Sequence, residues 1–136
     1  MKPKYMLDTN ICIYFMRHQP PQVRSRFAEC FVGDVVVSAV TFAELEFGVV
    51  CSGKSQARNQ VLLNSLLEDI VVAPFDAQAA RAYGPLRAEN RERNKDALDK
   101  LIAAHAMALG VTLVTNNEAD FLPFSGLAVE NWVNNH

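Results

Sequence analysis

Acidic and amide side chains stand at or near the ends of several apolar runs in this sequence. Asp8 ends the run KYML, Glu44 lies within VTFAELEFG, Asp99 within DALDKLIAAHA, and Asn117 follows VTLVTN. Hard divalent cations such as Mg²⁺ and Mn²⁺ take oxygen ligands and keep several waters, so two or three carboxylates suffice to hold one. Without a cation, gathered carboxylates repel one another and raise one another's pKa. If the four segments converge, they point to metal-assisted chemistry on a phosphoryl group.

Each of these side chains also has an ordinary structural interpretation. Asp8 is suited to cap the helix that follows it, and Asp99 to lie in the first turn of a helix that Asp96 would cap. Glu44 is equally well explained as a surface charge, and Asn117 as a turn residue. The two interpretations of Asp99 are compatible, because a helix N-terminus also holds a carboxylate rigidly.

The elements that would position these residues alternate between short strands and helices. Strands are predicted at 4–7, 35–37, 70–72 and 111–115, with a fifth at an edge over 127–129; helices are predicted at 10–17, 22–30, 38–48, 55–68, 77–92 and 97–109. This alternation predicts an α/β fold, a single domain over 1–136 with a central, mostly parallel sheet of four to five short strands flanked by helices. Ligands of such folds bind beyond the carboxyl ends of the strands, where Asp8 is expected.

Two of the predicted helices carry more specific expectations. The helix over 55–68 is expected to place Val61, Leu62, Ser65 and Leu66 on one face. The helix over 97–109 is strongly apolar, so His105 is interpreted as a packed core histidine rather than a metal ligand. Nothing in the sequence suggests zinc.

Composition narrows the possible classes of protein without identifying one. The 136 residues are 50% hydrophobic and 21% charged, which is ordinary for a globular domain. Thirteen Lys and Arg against fifteen Asp and Glu give a net charge of −2, so any nucleic-acid contact would depend on a local basic patch. The three cysteines lack metal-type spacing, which indicates a reduced, cytoplasmic compartment. No apolar run approaches the ~20 residues of a membrane span, so no membrane association is expected.

The motifs taken together resemble a known family. MLDTNICIY, VSAVTFAELEFG, LDKLIAAHAMALG, VTLVTNN…DF and the closing ENW, in this order, are similar to PIN-domain ribonucleases, specifically VapC-type toxins of bacterial type II toxin–antitoxin systems. The resemblance runs from about Tyr5 to Trp132. It implies a PIN-like domain and an endoribonuclease that depends on Mg²⁺ or Mn²⁺. The implied substrate is RNA, with tRNA, including initiator tRNA, among the candidates.

The resemblance also implies roles for individual residues. Asp8 and Asp99 match the principal metal-binding aspartates, and Glu44 and Asn117 match the other two catalytic positions. Small polar positions near the site are matched by Thr9, Ser38 and Thr115. Many PIN domains have aspartate where this chain has Asn117, which puts tight binding of a second metal in doubt. The stretch RNKDALD also replaces a Gly/Pro-rich approach to the second aspartate. Neither departure removes the three acids, so an active enzyme is expected.

Basic residues precede and enter the Asp99 helix. They are Arg87, Arg91, Arg93, Lys95 and Lys100. A solvated helix end is one explanation for them. Beside an acidic site that must accept RNA, phosphate contact is the favoured one.

Partners follow from the resemblance as expectations. A VapB-type antitoxin should inhibit the enzyme by lying over the apolar helices at 10–17 and 38–48. The toxin–antitoxin complex is a candidate to bind operator DNA. The chain should form a homodimer, for which the helix at 55–68 offers apolar surface. Two alternatives stay open: a DNA nuclease or phosphohydrolase that uses the same acids, and an RNA- or antitoxin-binding module with weakened catalysis.

Overall fold

The computed structural model, which describes residues 2–92 and 97–134, contains one sheet of five short strands. The strands are β1 Tyr5–Leu7, β2 Val35–Ser38, β3 Val71–Ala73, β4 Thr112–Val114 and β5 Val129–Glu130. Their order across the sheet is β3-β2-β1-β4-β5, and every neighbouring pair is parallel. The predicted α/β fold with a parallel sheet is therefore confirmed, and the last strand lies at an edge as predicted.

Seven α-helices and a short 3-10 helix connect and cover the strands in the described residues. They are α1 Thr9–Arg17, α2 Pro21–Ala28, α3 Ala39–Val50, the 3-10 helix Gly53–Ser55, α4 Gln56–Asp69, α5 Ala77–Glu89, α6 Ala97–Leu109 and α7 Glu118–Phe121. The 3-10 helix and α7 were not predicted, because segments of three and four residues are too short to show helical periodicity. Across the described ranges, no helix is both long enough and apolar enough to cross a membrane.

Helices cover both faces of the sheet, which explains why its strands are almost continuously apolar. Consecutive side chains of a strand point to opposite faces. Leu7 packs with Phe15 in the core beneath α1 and α4, whereas its neighbour Met6 packs with Ile102 in the core beneath α5 and α6. Within the inner strands, a buried polar side chain occurs only at a strand end in the described residues, as at Ser38 of β2.

The order of the strands creates a crevice at the carboxyl ends of β1 and β4. From β1 the chain adds β2 and β3 on one side, and it then returns to place β4 on the other side of β1. The carboxyl ends of β1 and β4 consequently flank the point where the strand order reverses, which is where open α/β sheets bind ligands. The first residue beyond β1 is joined to β4 there, since the Asp8 N–H donates to the Val114 carbonyl at 3.0 Å.

The predicted apolar face of α4 was partly wrong. Leu66 is buried as expected, but Val61 is 66% exposed and Ser65 is also exposed. The helix packs instead through Leu63, Leu66 and, just beyond its end, Ile70. These residues follow the i, i+3, i+7 spacing of a single helix face.

The closing ENW motif forms a C-terminal clamp, which we define as Glu130, Asn131 and Trp132. Trp132 is fully buried, its ring meets the Tyr5 ring edge-to-face at 5.3 Å, and its Nε1–H donates to Glu130 Oε1 at 2.9 Å. The same carboxylate forms an ion pair with Arg26 of α2. The clamp therefore joins the end of the chain to its first strand and second helix.

Candidate active site

An acidic cavity of about 250 Å³ opens beyond the carboxyl ends of β1 and β4. It is lined by Asp8, Thr9, Asn10, Glu44, Asp99, Ile102, Asn117, Asp120 and Phe121. The structure thus brings together Asp8, Thr9, Glu44, Asp99 and Asn117, which the sequence places in four separate segments. Their meeting point coincides with the crevice that the strand order creates.

Asp8 is both a helix cap and a wall of the cavity. Its Oδ1 accepts a hydrogen bond from the Ile11 N–H at 2.9 Å, so it is the N-cap of α1. Burial is the main reason that the pKa of Asp8 is raised, and the negative charge of Glu44 raises it further; hydrogen bonds from Thr115 and Ile11 act in the opposite direction. The raised pKa means that ionisation of the Asp8 carboxyl group is less favourable than that of an aspartate in water, and a nearby cation would offset this cost.

Glu44 approaches the cavity from α3. Its Oε1 accepts a hydrogen bond from the Thr9 hydroxyl at 2.8 Å. This bond spans 35 residues of sequence and links the first turn of α1 to the middle of α3. Thr9 thereby orients Glu44, which is consistent with the supporting position that the sequence assigns to it.

Asp99 enters the cavity from the first turn of α6. Its neighbour one helical turn later, Ile102, is buried and also lines the cavity. An acid in the first turn is favoured by the helix dipole, so the structural interpretation of Asp99 and its place in the cavity hold together. Asp96, the predicted cap, lies outside the described residues.

Asn117 and Asp120 come from the turn and short helix that follow β4. Asn117 precedes the first residue of α7, and its side chain makes no capping hydrogen bond there. Asp120, one turn later, lines the same cavity and was not predicted as a site residue. A helix of four residues is too short to show helical periodicity, so no signal in the sequence marked Asp120 as a wall of the cavity.

Two of the predicted supporting residues lie behind the cavity instead of in its wall. Thr115 is fully buried; its hydroxyl hydrogen-bonds Asp8 and accepts from the Asn117 N–H at 3.0 Å. Ser38 is also fully buried and caps α3, accepting from the Val40 N–H at 3.1 Å. Thr115 therefore connects two wall residues, whereas Ser38 caps α3, the helix that carries Glu44.

The donors of the acidic cavity fit a hard divalent cation in their chemistry. Among the described residues that line it, every polar side chain offers oxygen, and none offers the sulfur or imidazole nitrogen that zinc prefers. Within residues 2–92 and 97–134, no three His, Cys, Asp or Glu side chains form a ready-made metal group. Because Mg²⁺ keeps most of its waters and needs one or two protein carboxylates, an open acidic cavity fits it better than a closed cage would.

The basic residues divide into three groups. Arg87 and Arg91 are exposed on and just beyond the end of α5, and Arg87 donates to the Tyr83 hydroxyl at 3.3 Å. Arg93 and Lys95 lie outside the described residues. Lys100 is only 5% exposed, so a solvated helix end does not describe it, and its contact with phosphate stays a prediction. It shares a helix face with the buried Ala103 and Ala104, at i+3 and i+4, and that face packs into the domain.

An apolar groove of about 180 Å³ adjoins the acidic cavity. It runs between α1, α3 and α4, where its apolar walls are Ile13, Met16, Leu45, Val49 and Leu62. Thr9 and Glu44 line both the groove and the acidic cavity, so the two openings share a wall. Among the described residues that line the groove, Arg17 is the basic one.

Comparison with known proteins gives one consistent group of relatives. The model of the PIN domain matches residues 5–124. A tRNA(fMet)-specific endonuclease VapC from Shigella flexneri is 37% identical over 131 residues, which cover 95% of this chain and 98% of that protein. DNA-bound VapBC from Salmonella typhimurium superposes with a TM-score of 0.88 at 32% identity, covering 96% of this chain and 98% of that one. VapBC2 from Rickettsia felis, bound to a promoter DNA fragment, gives 0.85 at 36% identity, with coverages of 94% and 98%.

Proposed function

This chain belongs to the PIN-domain family, among its VapC ribonucleases, and from that premise we propose that it is a metal-dependent endoribonuclease acting at the acidic cavity. The observation that carries the proposal is the meeting of Asp8, Glu44 and Asp99 around one opening at the reversal of strand order. Three acids beside one cavity destabilise a protein unless a cation joins them. Their convergence is therefore better explained by function than by folding.

The residues take distinct roles in this proposal. Asp8 and Asp99 would hold Mg²⁺ or Mn²⁺, and Glu44 and Asn117 would bind the attacking water and the phosphate. The cation, when bound, would offset negative charge on the phosphoryl oxygens and favour ionisation of a water. Thr9 and Thr115 keep Glu44 and Asp8 in orientation through the hydrogen bonds described above.

RNA would approach the cavity across the basic end of α5. Arg87 and Arg91 are exposed there, and they would contact backbone phosphates beside the acids. We propose a structured RNA as substrate, with tRNA as the first candidate because a relative at 37% identity is named for initiator tRNA. Arg93 and Lys95 remain candidates for the same role by sequence.

The apolar groove is our proposed docking site for a VapB-type antitoxin. It lies between the two helices for which the sequence predicts this contact, and it ends at Glu44. A partner segment with an apolar face would fill the groove, and a basic side chain at its end would pair with the acids. We also propose that the resulting complex binds operator DNA, since two related VapBC complexes are DNA-bound.

Induced expression with sequencing of new RNA 5′ ends tests the proposed activity. Wild type should arrest growth and create defined 5′ ends, whereas Asp8→Asn should create none. Asparagine caps helices as well as aspartate does, so this change removes the charge and keeps the cap of α1. Asp69→Asn, at an exposed acid ending α4, is the matched control and should cleave like wild type. Co-expression of a cognate VapB-type antitoxin should remove both effects.

The outcomes separate the competing functions. Cleavage of DNA or small phosphoesters with RNA left intact would favour the phosphohydrolase alternative. Specific binding of RNA without new 5′ ends would favour a binding module, which the neutral Asn117 would then explain. If wild type cleaves RNA yet grows normally when expressed alone, the proposed need for an antitoxin is contradicted.

We also propose that the chain is a homodimer. Phe47, Val50 and Val61 are each more than 60% exposed, on α3 and α4, which pack against each other. Exposed apolar side chains near one another are typical of protein interfaces. Light scattering at micromolar concentration should give twice the mass of 15.1 kDa, and Val61→Glu should shift the equilibrium toward monomer. A wild-type mass equal to one chain would refute the dimer.

A further inference from the structure

A buried polar pair lies behind the active site and touches none of its cavity. His105 of α6 is 1% exposed and Ser38, at the end of β2, is fully buried. The His105 Nδ1 and the Ser38 Oγ lie 2.8 Å apart, although 67 residues separate them in sequence. The prediction of a packed core histidine is confirmed, but packing does not account for a hydrogen bond in that position.

The partners of this pair favour one arrangement of its protons. Ser38 Oγ already accepts from the Val40 N–H, so its own hydrogen is available for the His105 Nδ1. The imidazole also hydrogen-bonds the backbone of Pro74, which has a carbonyl but no N–H, so the ring must donate there. In the neutral form with the ring proton on Nε2, Nδ1 accepts from Ser38 and Nε2 donates toward Pro74. Burial, which lowers the pKa of His105, favours this form, while the charge of Asp76 opposes it.

The pair joins the carboxyl ends of two strands to the helix that carries Asp99. Ser38 ends β2 and Pro74 follows β3, while His105 belongs to α6. The Phe75 ring packs edge-to-face on the imidazole at 5.3 Å and limits its rotation. Ser38 in turn caps α3, whose Glu44 faces the acidic cavity. Displacement of the Ser38 hydroxyl would thus be transmitted to Glu44 through the first turn of α3.

We propose that His105 is a positioning residue for RNA cleavage: by accepting the Ser38 hydroxyl hydrogen, it sets the start of α3 and hence the orientation of Glu44. This inference rests on the proposed ribonuclease function. In the proposed reaction, His105 contacts neither the RNA nor a residue that would hold the metal ion. Residues behind a metal site have a comparable effect, because their hydrogen bonds orient the side chains that bind the metal ion.

Two substitutions at His105 separate the hydrogen bond to Ser38 from the bond to Pro74. Asparagine places its carboxamide oxygen near the position of Nδ1, so His105→Asn can still accept from Ser38. Glutamine places its amide near Nε2, so His105→Gln can still donate to Pro74 but offers Ser38 no acceptor. Both variants lose ring packing against Phe75, so both should melt below wild type.

The test is steady-state RNA cleavage by purified protein at saturating Mn²⁺, corrected for the folded fraction. His105→Gln should lower kcat roughly 10-fold with KM nearly unchanged, which is the range for a group that orients a reacting one. His105→Asn should restore most of that loss. Ser38→Ala should match His105→Gln, and the double variant should be no slower than the slower single one. Equal losses in the two His105 variants, or additive losses in the double variant, would overturn the proposal.

A readout independent of cleavage separates this inference from the function it rests on. The imidazole ¹⁵N signals that are present in the wild type and absent in His105→Gln belong to His105. Their chemical shifts should be those of a neutral ring with its proton on Nε2. The Nδ1–H form would overturn the role of Ser38 even in an active enzyme. A wild type that cleaves no RNA would overturn the proposed function and the positioning role together, whatever the tautomer.

Discussion

Replacement of Asp99 by asparagine should lower RNA cleavage by roughly 100-fold or more, the scale found when one group that stabilises transition-state charge is removed. It should also shrink the rise in melting temperature that Mn²⁺ causes in the wild type. Asparagine retains the shape of aspartate and removes one charge. If Asp8, Glu44 and Asp99 share one cation, metal binding stabilises the native state alone, and loss of one ligand weakens that stabilisation. Thermal melts with and without Mn²⁺ measure it.

The structural interpretation of Asp99 predicts a different pattern. An acid that serves only the first turn of α6 would cost about 0.3–1 kcal/mol on losing its charge, and the effect of Mn²⁺ would be unchanged. Without metal, relief of repulsion within the acidic cavity should offset part of that loss. Asp69→Asn supplies the control, since its carboxylate does not line the acidic cavity. An undiminished Mn²⁺ shift in Asp99→Asn would refute the shared metal site.

The placement of the acids was predictable because it depends on a rule of parallel sheets. Once β1 was recognised as a buried strand, Asp8 had to lie at its carboxyl end, and the same argument applied to Asn117 after β4. The sequence could not decide whether Asp8 caps a helix or lines a site. It does both, because the helix it caps begins at the edge of the cavity.

Other features depended on contacts that no local pattern contains. Asp120 reaches the acidic cavity from a helix of four residues, too short for a periodic signal. The buried face of α4 is set by the neighbours of Leu63, and Val61 has the same apolar character but faces solvent. Lys100 differs from these, because the small apolar residues at i+3 and i+4 already indicated a buried face. Its charge alone suggested exposure.

Replacement of Trp132 by alanine should cost about 3–5 kcal/mol of unfolding free energy, the range for removing a large buried aromatic side chain. Domains of this kind are typically stable by about 5–15 kcal/mol, so the variant should be near the limit of folding. The loss has two parts: the packing of the indole against Tyr5, and the Nε1–H bond to Glu130. Urea denaturation followed by circular dichroism measures it, since Trp132 is the only tryptophan and the variant has no indole fluorescence.

Trp132→Phe isolates the packing from the polar contact. Phenylalanine keeps an aromatic ring against Tyr5 and loses the hydrogen bond to Glu130, which still pairs with Arg26. Trp132→Phe should therefore lower the free energy of unfolding clearly less than Trp132→Ala does. An alanine variant with the denaturation midpoint of wild type would show that Trp132 contributes nothing to stability.

The clamp also bears on catalysis, because it holds the turn that carries Asn117. The Thr115 N–H donates to the Glu130 carbonyl at 3.0 Å, and Asn131 Nδ2 donates to Asn116 Oδ1 at 3.2 Å and to Glu118 Oε1 at 2.9 Å. Trp132→Ala should therefore slow cleavage even in the fraction that remains folded. Asn131→Ala should slow cleavage in the same way at much smaller cost in stability, since its side chain binds the turn without filling the core. Full activity in Asn131→Ala would contradict a role for the clamp in placing Asn117.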